Sequence, residues 1–148
     1  MAGTAPDRLP TARSVIDYGL ARRAVLTGLV TGRLSTLDAC DAHPYLLRAA
    51  RYYGEPSGSR CPVCRCDKPL MQVTYLYGDE LGDASGRARA SRELAALAQQ
   101  YSALNVYVVE VCQGCGWNHL TTSFVIGTGA PVQRRGTVRQ ARRRAADE

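Results

Sequence analysis

The sequence has few of the residues and motifs on which most enzyme active sites depend. Its 148 residues include only two histidines, and they contain neither a glycine-rich phosphate loop nor a G-x-S-x-G nucleophile motif. The acidic residues Asp79, Glu80 and Asp83 have no histidine near them in the sequence. These absences argue against nucleotide hydrolysis and serine-hydrolase chemistry. We therefore expect a protein that is not an enzyme and has no small-molecule substrate.

Long apolar segments are also missing. No run of about 18 apolar residues occurs, which argues against a transmembrane helix. Residues 1–10 include Asp7 and Arg8 and have no apolar core, so they do not resemble a secretory signal. We expect a cytoplasmic protein without a membrane partner, in which the six cysteines bind metal or stay as thiols rather than form disulfides.

Lysine is nearly absent, and arginine carries the positive charge. Lys68 is the only lysine, and the net charge is +6, of which residues 131–148 hold +4. We expect residues 130–148 to form a disordered, solvated tail. The alternative is an arm that binds nucleic acid or an acidic partner. The arginines of this tail are Arg134, Arg135, Arg139, Arg142, Arg143 and Arg144.

The sequence does contain two pairs of cysteines with the spacing of a metal site. Cys61 and Cys64 enclose Pro-Val, and Cys112 and Cys115 enclose Gln-Gly. Four thiolates in two such turns are the ligands of a tetrahedral structural zinc, so we predict one Zn²⁺ bound by these four cysteines. The alternative is a thioredoxin-like redox pair, which usually lies between a strand and a helix. Here a turn precedes the first pair and a strand follows it, which favours zinc.

Several other residues near the cysteine pairs are candidates for supporting roles. We expect Trp117 to shield the metal, with an exposed partner contact as the alternative, and His119 to hydrogen-bond a zinc-bound sulfur. Cys40 is expected to be a buried apolar residue and Cys66 a spectator thiol. The alternatives are that Cys66 replaces a ligand, or that Cys40 and His43 contribute to a second site.

The spacing of apolar residues predicts an α+β chain. We assign residues 1–12 to a disordered N-terminus, 13–56 to a helical segment, 57–129 to a zinc-ribbon domain and 130–148 to the basic tail. The helical segment has three predicted helices: 14–32, a short helix beginning with the capping pattern of Ser35, and one spanning about 44–53.

The third predicted helix carries a hypothesis about nucleic-acid binding. Asp41 is the expected cap, and Pro44 fits the first turn. A helix-turn-helix could place this helix against DNA, with Arg48 and Arg51 as its contacts. The alternative is a simple helical bundle that packs on the zinc-ribbon domain.

The predicted zinc-ribbon domain has a three-stranded antiparallel sheet with one inserted helix. Alternating apolar residues predict strands at 71–77, 105–111 and 119–126, and an apolar stripe predicts a helix at 88–102. The first strand leaves one cysteine pair and the second enters the other, so a shared ion requires the two to run antiparallel. We expect alternate residues of the third strand to point into the core, namely Leu120, Thr122, Phe124 and Ile126.

Two stretches are distinctive enough to suggest a family. They are Cys-Asp-Ala-His-Pro at 40–44 and Cys-Gly-Trp-Asn-His at 115–119. With Asp17-Tyr18 and the Cys-Pro-Val-Cys turn, they resemble an actinobacterial family of uncharacterised zinc-ribbon-like proteins, a domain of unknown function. The resemblance covers residues 14–127. It implies a bacterial, cytoplasmic setting and carries no activity with it.

The patterns leave two main function classes open. The first is a zinc-binding adaptor or regulator that associates with nucleic acid, RNA polymerase or the ribosome, an assignment by fold analogy. The second is a protein-interaction module without nucleic-acid contact, for which a patch including Tyr52, Tyr53 or Tyr107 is expected. A thiol or zinc-release sensor is a third class, and it would require Cys40 or Cys66 to be reactive.

Overall fold

A six-stranded antiparallel sheet runs through the chain. The computed structural model describes Leu9 and residues 12–131. The sheet order is β1-β6-β5-β3-β2, and β4 pairs with β3 on the same side as β2. The strands are β1 (Arg13–Asp17), β2 (Glu55–Pro56), β3 (Met71–Tyr77), β4 (Arg87–Arg89), β5 (Leu104–Val111) and β6 (Asn118–Ile126).

The three predicted strands correspond to β3, β5 and β6, and their antiparallel pairing is as expected. The prediction of a three-stranded sheet is wrong, because short segments elsewhere in the chain satisfy both outer edges. On one side, β2 pairs with the start of β3 and β4 pairs with its end. On the other side, β1 pairs with β6. Unpaired backbone groups at a sheet edge readily accept such additional strands.

Four α-helices accompany the sheet within the described residues. They are α1 (Gly19–Val30), α2 (Thr36–Ala39), α3 (Pro44–Tyr53) and α4 (Leu94–Gln100), with 3₁₀ turns at Asp79–Ala84 and Ser91–Glu93. Within the described part of the chain, none of these helices has the length and apolar character needed to cross a membrane.

The first predicted helix begins later than the sequence pattern indicated. Residues 13–17 form β1, and the helix starts at Gly19. Val15 and Ile16 are half exposed in this edge strand, so they do not belong to a helical apolar stripe. Their β-branched side chains favour an extended backbone. Pairing with β6 stabilises that conformation in this segment.

The helix caps explain the turns between α1 and α3. Ser35 and Asp38 form the predicted capping box at the start of α2. At α3 the cap is His43 rather than the predicted Asp41, because His43 Nδ1 accepts a hydrogen bond from the Tyr45 N–H at 3.0 Å. Asp41 instead accepts a bond from the Asn118 side chain at 3.1 Å.

The helix predicted at 88–102 is shorter, since its first residues belong to the sheet. Residues 87–89 pair with β3, and α4 begins only at Leu94. Leu94 and Ala98 then pack into the core on one face of the sheet. The sheet contributes the remaining buried residues of this core, namely Leu76, Leu104, Val106, Val108, Phe124 and Ile126.

A bulge in β6 changes the predicted alternation of its side chains. Thr122 pairs with Val108, and Leu120 pairs with the next residue, Val109, so Thr121 is an additional residue in β6. Consecutive residues of a strand face opposite sides. Leu120 therefore lies on the opposite face from Phe124, and the expectation that both point into one core is wrong.

A buried ion pair connects α1 to the sheet. Glu110 of β5 is 5% exposed and accepts hydrogen bonds from the Arg22 guanidinium. The Trp117 indole N–H donates to the same carboxylate at 3.4 Å. Glu110 thus satisfies two donors that would otherwise lose their hydrogen bonds on burial.

We expect Glu110→Ala to lower the free energy of unfolding by about 2–3 kcal/mol in urea denaturation. This is below the about 3–5 kcal/mol typical of fully buried pairs, because Arg22 keeps 30% of its side-chain surface in water. The matched control is the exposed Asp83→Ala, for which we expect a change below about 0.5 kcal/mol. Equal effects of the two variants would show that the pair contributes nothing to stability.

Candidate metal centre

The four cysteines of the two predicted turns come together at one end of the sheet. The Sγ atoms of Cys61, Cys64, Cys112 and Cys115 all lie within 4.8 Å of one another. The Cys61–Cys115 and Cys64–Cys112 sulfur pairs are 3.7 and 3.6 Å apart. A tetrahedral tetrathiolate with metal–sulfur bonds of about 2.3 Å has sulfur–sulfur separations of about 3.8 Å. These four side chains, the thiol cluster, therefore fit a tetrahedral metal ion.

The first pair of cysteines is held by a tight backbone turn. The Val63 N–H lies 3.4 Å from Cys61 Sγ, and the Arg65 N–H donates to the Cys61 carbonyl at 3.1 Å. Arg65 has a φ of +49°, which turns the chain away after Cys64. An N–H directed at the sulfur favours the thiolate that a metal requires.

The second pair repeats this geometry with glycine in the corresponding place. The Gly114 N–H lies 3.3 Å from Cys112 Sγ, and the Gly116 N–H donates to the Cys112 carbonyl at 2.9 Å. Gly116 has a φ of +88°, and a Cβ there would lie 2.9 Å from the Cys40 carbonyl oxygen. Both the backbone conformation and the close approach therefore require glycine.

The thiols of the cluster differ in acidity. Burial raises the pKa of Cys112, but the N–H groups of Cys115 and Gly114 and the thiols of Cys64 and Cys61 together lower it to about 7. Cys112 is thus the first thiol of the cluster to ionise, and its neighbours donate to its negative charge.

The remaining three thiols of the cluster are weaker acids. The pKa of Cys61 is raised mainly by burial. Burial also raises the pKa of Cys115, to about 12. The Cys66 N–H lowers the pKa of Cys64, while burial and the neighbouring thiols raise it more, to about 11. Without metal, Cys112 is therefore about half ionised at pH 7, and the other three thiols keep their protons.

An apolar layer covers the thiol cluster. Trp117 is fully buried and packs with Leu70, Ala39 and the two buried cysteines. Three side chains of α1 complete the layer, namely Val25, Leu26 and Leu29. The Trp117 N–H also lies 3.4 Å from Cys115 Sγ, so this residue contacts the cluster through both its backbone and its ring.

His119 lies beside this layer but bonds differently from our expectation. Its ring stacks on the Trp117 ring, with centroids 6.0 Å apart. Its Nδ1 lies 2.6 Å from the Leu120 carbonyl oxygen, rather than at a cysteine sulfur. The alternation of β6 directs its side chain to the opposite face from that of Asn118, which bonds the 40–44 segment through Asp41.

All six cysteines of the chain gather at this end of the sheet. Cys40 Sγ lies 3.6 Å from Cys115 Sγ, and Cys66 Sγ lies 3.9 Å from Cys112 Sγ. The thiol cluster is the one group of three or more metal-binding side chains found within the described residues. The alternative of a second site built on Cys40 and His43 is not realised, because the His43 ring caps α3.

The two distinctive stretches of the sequence contact each other. The Ala42 N–H donates to the Gly116 carbonyl at 3.0 Å, and the Asn118 amide donates to Asp41 at 3.1 Å. The 40–44 segment is therefore attached to the turn that carries Cys112 and Cys115. This contact connects the start of α3 to the thiol cluster.

A second feature lies on the sheet face that α3 only partly covers. One groove, of about 970 Å³, lies between α3 and β4, and a second, of about 460 Å³, lies on the open sheet beside it. Tyr75 lines both grooves, so they form one continuous surface. Its aromatic residues are six of the eight tyrosines: Tyr45, Tyr52, Tyr53, Tyr75, Tyr77 and Tyr107.

Three arginines border the same surface, which we call the tyrosine–arginine surface. They are Arg48 of α3 and Arg87 and Arg89 of β4. Within the described part of the chain, the Arg22–Glu110 pair is the one salt bridge, so none of the three has a carboxylate partner there. Glu93, the one acidic residue of the groove, accepts a hydrogen bond from the Ala90 N–H and so caps a turn.

The predicted arginine contacts are only partly within the described residues. Arg48 and Arg51 are exposed on α3, and the Arg51 guanidinium lies 5.8 Å from the Tyr52 ring centroid. The predictions for the tail arginines, Arg134, Arg135, Arg139, Arg142, Arg143 and Arg144, lie outside the described residues.

Sequence reasoning missed two sets of functional candidates. The Arg22–Glu110 pair was signalled only by an acidic residue within the apolar stretch of β5. The helix predicted at 88–102 includes Arg89 and begins directly after Arg87, so the sequence pattern does not place these two arginines beside the tyrosines. A strand of three residues has too short a pattern to be recognised from sequence.

Comparison with known proteins identifies the family of the chain. A family model described as "Family of unknown function (DUF5318)" matches residues 9–141. The chain belongs to this family. Uncharacterized proteins of Mycobacterium bovis and Mycobacterium tuberculosis are 46% identical to it over 118 residues, which cover 80% of this chain and 85% of each relative. No solved structure matches the chain. The resemblance predicted from the motifs is thus confirmed.

Metal uptake by the DUF5318 chain should depend steeply on pH. Well below the pKa of Cys112, which is about 7, all four thiols of the cluster are protonated and binding displaces about four protons, whereas well above it binding displaces about three. The logarithm of the metal association constant should therefore rise with pH, with slopes of about four and then about three. Competition with a chelator between pH 6 and 8 measures these slopes. A slope near zero would show that the thiols are already ionised.

Proposed function

We propose that this DUF5318 protein is a non-enzymatic zinc-binding adaptor that associates with nucleic acid in the transcription or translation machinery. The observation that carries the proposal is the tyrosine–arginine surface, in which uncovered aromatic rings lie beside arginines that have no carboxylate partner among the described residues. RNA polymerase and the ribosome are the large assemblies in which such an adaptor would meet exposed single strands.

Zinc is the metal that best suits the thiol cluster. Four cysteine sulfurs in two short turns form a closed tetrahedral donor set, which is typical of structural zinc. Such a set leaves no coordination position for a substrate or for a water that the metal could activate. The two turns at the ends of β3 and β5 support the zinc-ribbon assignment, and the metal's role there is to stabilise the fold.

The tyrosine–arginine surface has the chemistry of a single-strand binding site. Tyr45 and Tyr52 are 76% and 68% exposed, which is unusual for large aromatic side chains. Aromatic rings stack with bases, and arginine binds phosphate through its planar guanidinium. A single strand presents bases and phosphates together, whereas duplex DNA keeps its bases stacked inside. The surface therefore favours single-stranded nucleic acid over the helix-turn-helix mode first considered for α3.

One observation favours protein interaction as a second candidate function. The smaller groove is mainly apolar, because Val109 and Leu120 lie between its tyrosines. Tyrosine and arginine are also the residues most enriched in energetic centres of protein interfaces. A partner protein would bury this apolar part, whereas a nucleic acid would depend more on Arg48, Arg87 and Arg89.

We expect the full-length protein to bind single-stranded oligonucleotides and Arg48→Ala/Arg87→Ala to weaken this binding. Fluorescence anisotropy at several salt concentrations measures both the affinity and its salt slope, which should fall by about one for each lost phosphate contact. Tyr52→Ala should weaken binding by about 5-fold or more with the salt slope unchanged, as expected from the loss of base stacking.

The matched control is Arg23→Ala/Arg33→Ala, which removes the same charge from exposed positions on and after α1. All variants keep the C-terminal tail, so its contribution is constant. Equal losses in the two double variants would contradict a specific surface and indicate general charge attraction. Absence of oligonucleotide binding by the zinc-loaded wild type would reject the nucleic-acid function and leave the protein-interaction candidate.

A further inference from the structure

We propose that Cys66 is a fifth metal-binding cysteine of this site. It can replace Cys64, so that the ion has four sulfur ligands at any time. This inference rests on the proposed zinc site and adds a residue to it. Cys66 is not one of the two C-x₂-C pairs, and its position beside the thiol cluster follows from the fold.

The first argument is distance. Cys66 Sγ lies 3.9 Å from Cys112 Sγ, close to the about 3.8 Å that separates two sulfurs bound to one tetrahedral metal. The Cys64–Cys112 sulfur separation is 3.6 Å, so Cys64 and Cys66 approach the same partner to nearly the same extent. Cys66 is outside the set of sulfurs that lie within 4.8 Å of one another, so it contacts the cluster through Cys112 and has to move inward to take a coordination position.

The second argument is the space provided by Gly114. A Cβ at this position would lie 2.9 Å from Cys66 Sγ, and 3.5 and 3.9 Å from the sulfurs of Cys112 and Cys64. Any other residue would push Cys66 away from the thiol cluster. The backbone at Gly114 does not require glycine, because its φ is not positive and the backbone is not left-handed there. Its lack of a side chain thus serves the approach of the sulfur.

The third argument is the mobility required of the ligand that leaves. Cys64 is the exposed member of the thiol cluster, whereas Cys61 and Cys112 are fully buried. Cys66 is two residues away, in a segment without helix or strand. Exchange of the two sulfurs would therefore involve the exposed Cys64 and the half-buried Cys66, and would leave the buried ligands in place.

The exchange is balanced without any oxidant or reductant. The Cys66 S–H loses its proton as its sulfur forms a bond to the metal. The bond between the metal and the Cys64 sulfur breaks, and that thiolate takes up a proton. The ion keeps four sulfur ligands, and the charge of the site is unchanged.

Cys40 provides the internal comparison. Its sulfur also contacts the cluster, at 3.6 Å from Cys115 Sγ. Its backbone, however, is fixed by a bond from its N–H to the Thr36 carbonyl at 2.8 Å, and it adjoins the other cysteine turn. We therefore expect Cys40 not to replace Cys64.

Cobalt binding to serine variants tests the proposal, because Co²⁺ accepts the same ligands as zinc and reports sulfur coordination by absorbance. We expect Cys64→Ser to bind one Co²⁺ with the absorbance of four thiolates, and Cys64→Ser/Cys66→Ser to show about three quarters of the sulfur-to-cobalt intensity. Cys64→Ser/Cys40→Ser is the control and should match Cys64→Ser. Identical spectra for Cys64→Ser and Cys64→Ser/Cys66→Ser would overturn the proposal.

A second measurement uses the zinc-loaded wild type and does not depend on a substituted protein folding. A limiting amount of N-ethylmaleimide is added, and the labelled cysteines of zinc-retaining molecules are mapped by mass spectrometry. We expect label on either Cys64 or Cys66 but not on both, since whichever sulfur is free reacts. Label on Cys66 but never on Cys64 in these molecules would contradict the exchange.

The two proposals can fail separately. If the wild type binds neither Zn²⁺ nor Co²⁺, the proposed zinc site is wrong and the exchange falls with it. If the wild type binds one ion but only Cys66 is labelled, the zinc site stands and the fifth ligand is rejected.

Discussion

The convergence of four sulfurs on one point is the constraint from which much of the structure follows. Cys61 and Cys64 precede β3, and Cys112 and Cys115 form the turn between β5 and β6. Bringing both turns together places the start of β3 beside the end of β5, so the two strands must be antiparallel. A metal ion bound by these sulfurs would contribute directly to folding, because the unfolded chain holds no comparable site.

The rest of the N-terminal region is fixed to this point by a small number of specific contacts. Glu110 accepts from Arg22 of α1 and from the Trp117 indole, which joins α1, β5 and the apolar cover of the cysteines. The bond from Ala42 to the Gly116 carbonyl attaches the start of α3 to the second cysteine turn. As α3 is held at that end, its tyrosines lie over the sheet edge and form a surface with β3, β4 and β5.

The sequence predicted those elements whose determining residues are close together in the chain. The helix from Pro44 to Tyr53 was recognised from its proline and apolar spacing, and the four cysteines from their two turns. The strand β1 was missed because its partner, β6, lies more than one hundred residues away in the sequence. The Thr121 bulge and the position of Cys66 beside Cys112 depend on contacts between residues far apart in the sequence. The spacing of apolar residues gives no information about such contacts.

The central proposal is that a metal ion bound by the four cysteines holds this fold together. The most direct test is metal analysis of the purified full-length protein, followed by circular dichroism during chelation and re-addition of zinc. The account predicts one zinc per chain, loss of the folded signal when zinc is removed, and recovery when it returns. The matched control is Cys112→Ser, which should fail to recover, whereas Cys40→Ser should recover fully. A chain that stays folded with an unchanged melting temperature after complete removal of the metal would contradict the account.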